Sequence, residues 1–330
     1  MLNTFIATLQ PMLMLFSCIA IGFMLKRSKI LPDNAGSVMA KMETWVFCPA
    51  LSFSTMATYC TVKTISTHAI NIVFGICCVC LSLLIAIPLG KVFIRNKSPE
   101  RGIYMYALAF ANCGYIGDPV VQAIFGDMGL SYYKLFCLPL NITIYTWGIS
   151  VLVPDGANKG NVFKKIFNPP TIAMLIGIVV GLTGLQPYIP TFFLNTLNSL
   201  KGCMGPVAML LAGFTIASYN LKEMLQDKKV YCATGLRLLV IPSVLIAALF
   251  GIKELLSFLL PAVPFSTTPL FLALFATAAP LGLNTIIFPE TYGGNPKTGA
   301  GMALISHTLC VLTIPIMYAF MKLIFGEAPL

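Results

Sequence analysis

The sequence predicts an all-α membrane protein of ten transmembrane helices, built as two inverted five-helix repeats in which helices 4 and 9 are broken and cross. Three observations carry that prediction. The apolar residues fall in runs of membrane-spanning length, the two halves of the chain resemble each other, and two matching runs carry proline, glycine and asparagine near their middles. The 330 residues are 58% hydrophobic and 10% charged, with mean hydropathy +0.87. A soluble domain carries about 25% charged residues, so there is too little polar material here to cover a globule. Runs of roughly 20 residues match the length at which a helix crosses about 30 Å of hydrocarbon. The alternating segments of about 10 residues that mark a β-barrel do not occur.

The runs cover 3–25, 36–58, 67–94, 102–126, 132–153, 169–187, 194–218, 229–250, 268–290 and 299–325. The first has no basic start and no small-residue cleavage site. Lys26, Arg27 and Lys29 follow it, so it reads as a retained helix. The second and seventh hold Lys41 and Lys201 with several polar side chains, and are expected to pack against protein along one face. The third contains three of the eleven cysteines, Cys77, Cys78 and Cys80. None of the eleven has metal-ligand spacing in a polar context, so they read as small packing residues.

Charge orients the spans. With the N-terminus outside, the inner loops hold Lys26, Arg27, Lys29, Lys91, Arg95, Lys97, Arg101, Lys159, Lys164, Lys165, Lys222, Lys228, Lys229 and Lys297, fourteen of the 21 basic residues. The outer side holds four: Lys63, Lys134, Lys253 and Lys322. Lys41, Lys201 and Arg237 fall within spans. This positive-inside bias places both termini outside the cell membrane and the 154–168 linker in the cytoplasm. The net charge of +10 fits contact with anionic inner-leaflet lipid of the bilayer and gives no reason to expect a nucleic-acid partner.

The internal match runs in order along the chain. Pro11 precedes Gly22 by eleven residues, and Pro170 precedes Gly181 by the same spacing. "CPALSFSTMA" (48–57) parallels "GPVAMLLAGFTIA" (205–217), and "LAFANCGYIGDP" (108–119) lies over "ALFATAAPLGLN" (273–284). The repeats are 1–153 and 169–330. Five spans in each invert the second relative to the first, an arrangement common in secondary transporters.

The fourth span carries "NCGYIGDP" and its counterpart in the ninth "APLGLN". Proline removes a backbone donor and glycine loosens a helix. In lipid the freed backbone groups cost several kcal/mol each, so such breaks are tolerable only inside protein or beside water. Two breaks at symmetry-related places point to one central site. Half-helix N-termini there offer free N–H groups and a partial positive charge to an anion such as a carboxylate. The residues expected to interrupt the helices are Gly117, Pro119 and Gly282.

On these residues the chain resembles the bacterial branch of the auxin efflux carrier family over nearly its whole length. "ANCGYIGDPVVQAIFG" is similar to the family's Asn-x-Gly-aromatic-x-Gly-x-Pro stretch, and "FNPPTIAMLIGIVVG" to the start of its sixth helix. "GPVAMLLAGFTIA", "RLLVIP" and "AAPLGLNTIIFPETYGG" match in order. The resemblance implies a fold related to that of bile-acid/sodium symporters. A scaffold of helices 1, 2, 6 and 7 (1–58 and 169–218) would support a moving transport domain (67–153 and 229–330). It also implies elevator-type transport of a small organic anion, such as malate, malonate or an auxin-like acid, and allows homodimers through the scaffold helices. Asp118 departs from the pattern, where an apolar residue is usual.

The residues expected to contact substrate are Asn112, Gly114, Tyr115, Thr277, Pro280 and Asn284. Asn112 is either a substrate donor or a helix cap. Four residues are candidates for coupling. Asp118 would bind a proton or cation or would cap a half-helix beginning at Pro119. Its charge requires a helix N-terminus or basic partner, a bound cation or protonation, and the fourth span offers no nearby Lys or Arg. Arg237 is the deep basic candidate. His307 is a proton relay or a satisfied interior histidine. Asn141 faces an unknown direction, and Glu43 caps its helix or lines the domain boundary. No cofactor or metal is expected, and coupling to Na+ or H+ stays open. An enzyme would want paired carboxylates, a metal cluster or a Ser/His arrangement, and the two histidines, His68 and His307, stand far apart. A sensor would want a further signalling domain. The absence of a Gly-rich phosphate loop argues against ATP-driven pumping.

Overall fold

A computed structural model of the chain describes residues 2–152, 166–218, 228–282, 284–286 and 297–328. Most of the 154–168 linker and the end of the ninth span, 287–290, lie outside the described residues. The described residues are mostly helical. In chain order the helices are α1 (Leu2–Arg27), α2 (35–59), α3 (Ile65–Phe93), α4 (Pro99–Ala109), α5 (Asp118–Phe136) with a wide π turn before it (Cys113–Gly117), and α6 (Leu138–Leu152). They continue as α7 (Pro169–Thr183), α8 (Thr191–Ala217), α9 (Lys228–Leu259), α10 (Thr268–Ala278) and α11 (Lys297–Phe325). Among the described residues, α3, α8, α9 and α11 are each long and apolar enough to cross a membrane, and the bent unit Pro99–Phe136 with α6 makes a fifth.

Helix starts follow local chemistry. Ser98 accepts from the Arg101 N–H at 3.3 Å ahead of Pro99, and Asn168 accepts from the Thr171 N–H at 3.0 Å ahead of Pro169. Each satisfies a donor that the first turn leaves free, while proline fills a position needing none. α7 stops at Gly184, whose φ of +68° is the left-handed conformation a helix end commonly adopts.

The fourth span loses regular helix at the early end of the expected stretch, 112–119. α4 ends where Phe110 turns extended (φ −125°, ψ 142°), and helical backbone resumes at Cys113. Gly117 and Pro119, read from the sequence as helix breakers, lie inside continuous helical backbone. The wide turn at Cys113–Gly117 accommodates the proline ring and its missing N–H, so Pro119 does not interrupt the helix. Two other π turns, Glu43–Phe47 and Leu236–Val240, likewise stand directly before Cys48-Pro49 and Ile241-Pro242. Gly117 lies against Tyr133 instead: a Cβ there would sit 2.1 Å from the hydroxyl oxygen, so the Tyr133 side chain would have to shift. A second break falls at Gly126 (φ +68°, ψ −171°), which divides α5 into two helical pieces.

Two sets of helices pack closely, and α1 also lies against α11 across them. α1 lies along α8, and α7 along the second half of α2. In the other group α3 packs on α4, α5 and α6, while α10 is held by α3, α5, α9 and α11. Every residue of α10 is buried. A short half-helix with free ends can therefore exist within a membrane protein, because it meets protein on all sides. Around it Phe125, Phe275 and Tyr318 form an edge-on aromatic cluster with centroids 5.6–5.8 Å apart.

Candidate functional site

The two broken spans meet. The Asn112 N–H donates to the Pro280 carbonyl at 2.8 Å, and Gly282 lies against the Ala111–Asn112 backbone. Both half-helices end here, α4 at Phe110 and α10 at Ala279. Their last carbonyls need donors, and Arg237 of α9 supplies them. Its Nη1 donates to Ala107 O at 3.0 Å, and its Nη2 to Ala279 O at 2.7 Å and Pro280 O at 3.3 Å. A buried cation thus faces two helix C-termini, where the helix dipole favours positive charge. Ser306 adds a further tie, its Oγ accepting from the Leu281 N–H at 3.0 Å.

On the N-terminal side of the breaks lies a cavity of about 150 Å³. Its walls come from α2 (Thr44, Cys48), the break and π turn (Ala111 to Tyr115), α5 (Asp118, Lys134) and α6 (Asn141, Ile144, Tyr145). Cys137, the start of α7 (Asn168, Pro170, Thr171), Gly282 and Asn284 complete it.

Asn112 does two things at once. Its Oδ1 accepts from the Tyr115 N–H at 3.1 Å, capping the helix that begins at Cys113, while its Nδ2 is buried in the cavity wall without a partner among the described residues. Gly114 lies in the same turn, and a Cβ there would meet nothing within 4 Å. The Tyr115 hydroxyl is 3.5 Å from Thr44 Oγ1 across to α2. Asn284 donates to the Tyr106 hydroxyl at 3.1 Å, and Asn141 Oδ1 accepts from the Cys113 thiol at 3.7 Å.

Asp118 does not cap a half-helix at Pro119. Its backbone is helical (φ −55°, ψ −54°), and the cap belongs to Asn112, six residues earlier. Nor is Arg237 its partner. Lys134, assigned from charge counting to the outer side, is half-buried and forms an ion pair with the buried Asp118 in the cavity wall. Of the three routes by which a deep carboxylate can be tolerated, the chain uses a basic partner.

The remaining candidates do not line the cavity. Thr277 turns its hydroxyl back to Ala273 O at 2.6 Å, and Pro280 contributes its carbonyl to the crossing. His307 is buried with Nδ1 2.6 Å from Ala303 O, and its Nε2 has no partner among the described residues. Glu43 is fully buried behind Cys48, whose thiol lies 3.6 Å from Oε2.

Sequence reading missed Lys134, Thr44, Asn168 and Tyr145 as wall residues. Asn168-Pro169-Pro170-Thr171 carried a legible helix-start signal. Lys134 carried none that identified its partner, because the pairing closes only through the turn at Gly126.

A family model described as membrane transport protein matches residues 7–162 and again residues 158–318. Two archaeal proteins are similar over most of their lengths. An uncharacterized transporter of Methanocaldococcus jannaschii is 25% identical over 65% of this chain and 70% of its own. An uncharacterized transporter of Methanothermobacter thermautotrophicus is 26% identical over 77% of this chain and 81% of its own. The double match reflects an internal repeat, and together with the apolar spans it identifies the chain as a multi-pass transporter of the membrane transport protein (auxin efflux carrier) family, which is not a family of enzymes.

Proposed function

We propose that the chain is a secondary active transporter of a small organic anion, a carboxylate, bound where the two broken helices cross and moved by an elevator mechanism. The observation that carries this reading is the cavity at the N-terminal end of the Cys113 half-helix, with the unpartnered Nδ2 of Asn112 in its wall. A helix N-terminus and a free neutral donor are what a carboxylate needs. A void of about 150 Å³ is also of the size that admits a benzene-sized solute, which suits a short-chain carboxylate better than a bulky auxin-like acid.

On this reading the spans number ten, in two inverted repeats of five, with Gly126 separating the fourth from the fifth. The glycines matched between the halves support it. A Cβ on Gly22 of α1 would lie 2.1 Å from Leu210 O of α8, and one on Gly181 of α7 would lie 2.4 Å from Cys60 O at the end of α2. Each glycine thus packs its own repeat's first helix against the other repeat's second. α1, α2, α7 and α8 are the scaffold, through which homodimers would form, and the remaining helices are the moving domain. The cavity lies between α2 and α7 on one side and α5 and α6 on the other, as an elevator requires. Both termini face outward, so a thiol placed by Lys63→Cys is expected to react with an impermeant reagent outside cells, and one placed by Lys97→Cys is not.

The test is a thermal-shift screen of purified protein against mono- and dicarboxylates. A ligand bound only by the folded state at one hundred times its Kd stabilises by about 2.7 kcal/mol, so a bound acid raises the melting temperature. No shift with any small carboxylate counts against the reading. Uptake with and without sodium and pH gradients then identifies the coupling ion.

A further inference from the structure

The cavity wall contains two charged side chains among its described residues, Lys134 and Asp118, and they are paired with each other. Asp118 is buried beside the cavity on the first turn after Gly117, and Lys134 reaches it from beyond the Gly126 turn in α5. The pair therefore contributes no net charge. The other buried charged groups nearby add no free cation to the cavity: Glu43, behind Cys48, is an acid, and Arg237 is committed to the helix C-termini on the far side of the crossing. What remains positive is the N-terminus of the helix beginning at Cys113, roughly half an elementary charge, assisted by the buried, partnerless Nδ2 of Asn112.

That supply matches one carboxylate. A second carboxylate on the same solute would enter a space whose cation, among the described lining residues, is already taken, close to the carboxylate that holds it. We propose that Asp118 is a specificity-determining residue: by occupying Lys134 it restricts the cavity to organic anions of single charge. The inference rests on the reading of the cavity as an organic-anion site. It assigns Asp118 a role in selecting charge, and it predicts that freeing Lys134 turns a monocarboxylate site into a dicarboxylate site.

The probes are near-isosteric pairs differing by one charge, malonamate with malonate and succinamate with succinate. Binding is measured by calorimetry on the purified full-length chain at a pH well above the carboxylate range. In the wild-type protein each half-amide binds at least about tenfold tighter than its diacid, the order expected when one charge-assisted hydrogen bond goes unmade. Asp118→Asn keeps the shape, releases Lys134 and shifts that ratio at least about tenfold toward the diacid. Adding Lys134→Gln to Asp118→Asn neutralises both positions and restores the wild-type order. Diacids binding wild type as tightly as the half-amides overturns the proposal, as does a ratio unmoved in Asp118→Asn. The wild-type ratio suffices for this should the variant fail to fold. Binding of neither member of either pair to wild type overturns the organic-anion reading itself.

Discussion

Arg237 and Asn112 divide the work at the crossing by the polarity of the helix ends they serve. Arg237 donates to three carbonyls at the C-terminal ends of α4 and α10. Asn112 serves the opposite polarity, accepting from an N–H at the start of the next helix. Arg237→Met keeps much of the side-chain bulk and takes the donor from Ala107 O and Ala279 O, while Pro280 O keeps the Asn112 N–H. At about 1–3 kcal/mol for each unsatisfied group, the variant is expected to lose about 2 kcal/mol or more, read as a fall in melting temperature in detergent. Unchanged melting would mean the carbonyls find other donors. Asn112→Asp separates structure from binding. Aspartate caps as well as asparagine, so stability should stay within about 1 kcal/mol of wild type. The lost donor and added negative charge should weaken carboxylate binding more than tenfold. At this scale the sequence exposed the unusual residues but not their partners. Asn112 was legible because an amide beside Pro and Gly in an apolar run has few uses. The Asp118–Lys134 pair and the caps made by Arg237 were not, since each joins positions that come together only once the spans are folded.

Among the elements, the informative signals were runs and punctuation, and punctuation misled in one respect. The fourth span read as broken over residues 112–119 with Gly117 and Pro119 as the breakers, whereas the structure absorbs that proline after a π turn and places the break itself at the early end, 110–112. A proline lacks one donor, and a turn wide enough to skip that bond removes the conflict, so residue type alone cannot locate the interruption. Glycine spacing was the better guide. Gly22 and Gly213 let α1 and α8 approach closely: a Cβ on Gly213 would stand 1.9 Å from Ile19 O, against backbone that cannot step aside. Gly213→Ala should therefore lower stability by about 1–3 kcal/mol, the usual cost of overpacking. Gly235→Ala provides the contrast. Gly235 is also helical, but a Cβ there meets nothing within 4 Å, and alanine favours the helix by about 0.5–1 kcal/mol. Thermal unfolding of the two variants should move in opposite directions, and a parallel loss would show that helix propensity is not what separates the sites.

For the molecule as a whole, the question is whether the two packing groups move past each other. A second ion pair bears on it. Lys201 of α8 donates to Asp127 at 2.8 Å, and Gln122 donates to the same carboxylate at 2.7 Å. Asp127 follows the Gly126 turn, so the bond joins the proposed scaffold to the proposed moving domain beside the point where the chain reverses. Partly exposed pairs of this kind contribute about 0–1 kcal/mol, enough to bias a conformational equilibrium and weak enough to break in each cycle. In an elevator it must break, because α8 stays while α5 travels. Lys201→Cys combined with Asp127→Cys, in a background lacking the eleven native thiols, places a thiol on each side. Joining them with a short bifunctional thiol reagent is expected to abolish transport, and cleaving a reducible linker to restore it. Each single cysteine variant should transport normally after the same treatment. Substrate binding should survive the cross-link, because the cavity is complete in this conformation. Undiminished transport by the cross-linked protein would mean that α8 and α5 do not separate during the cycle, and a mechanism in which smaller elements gate a fixed site would replace the elevator.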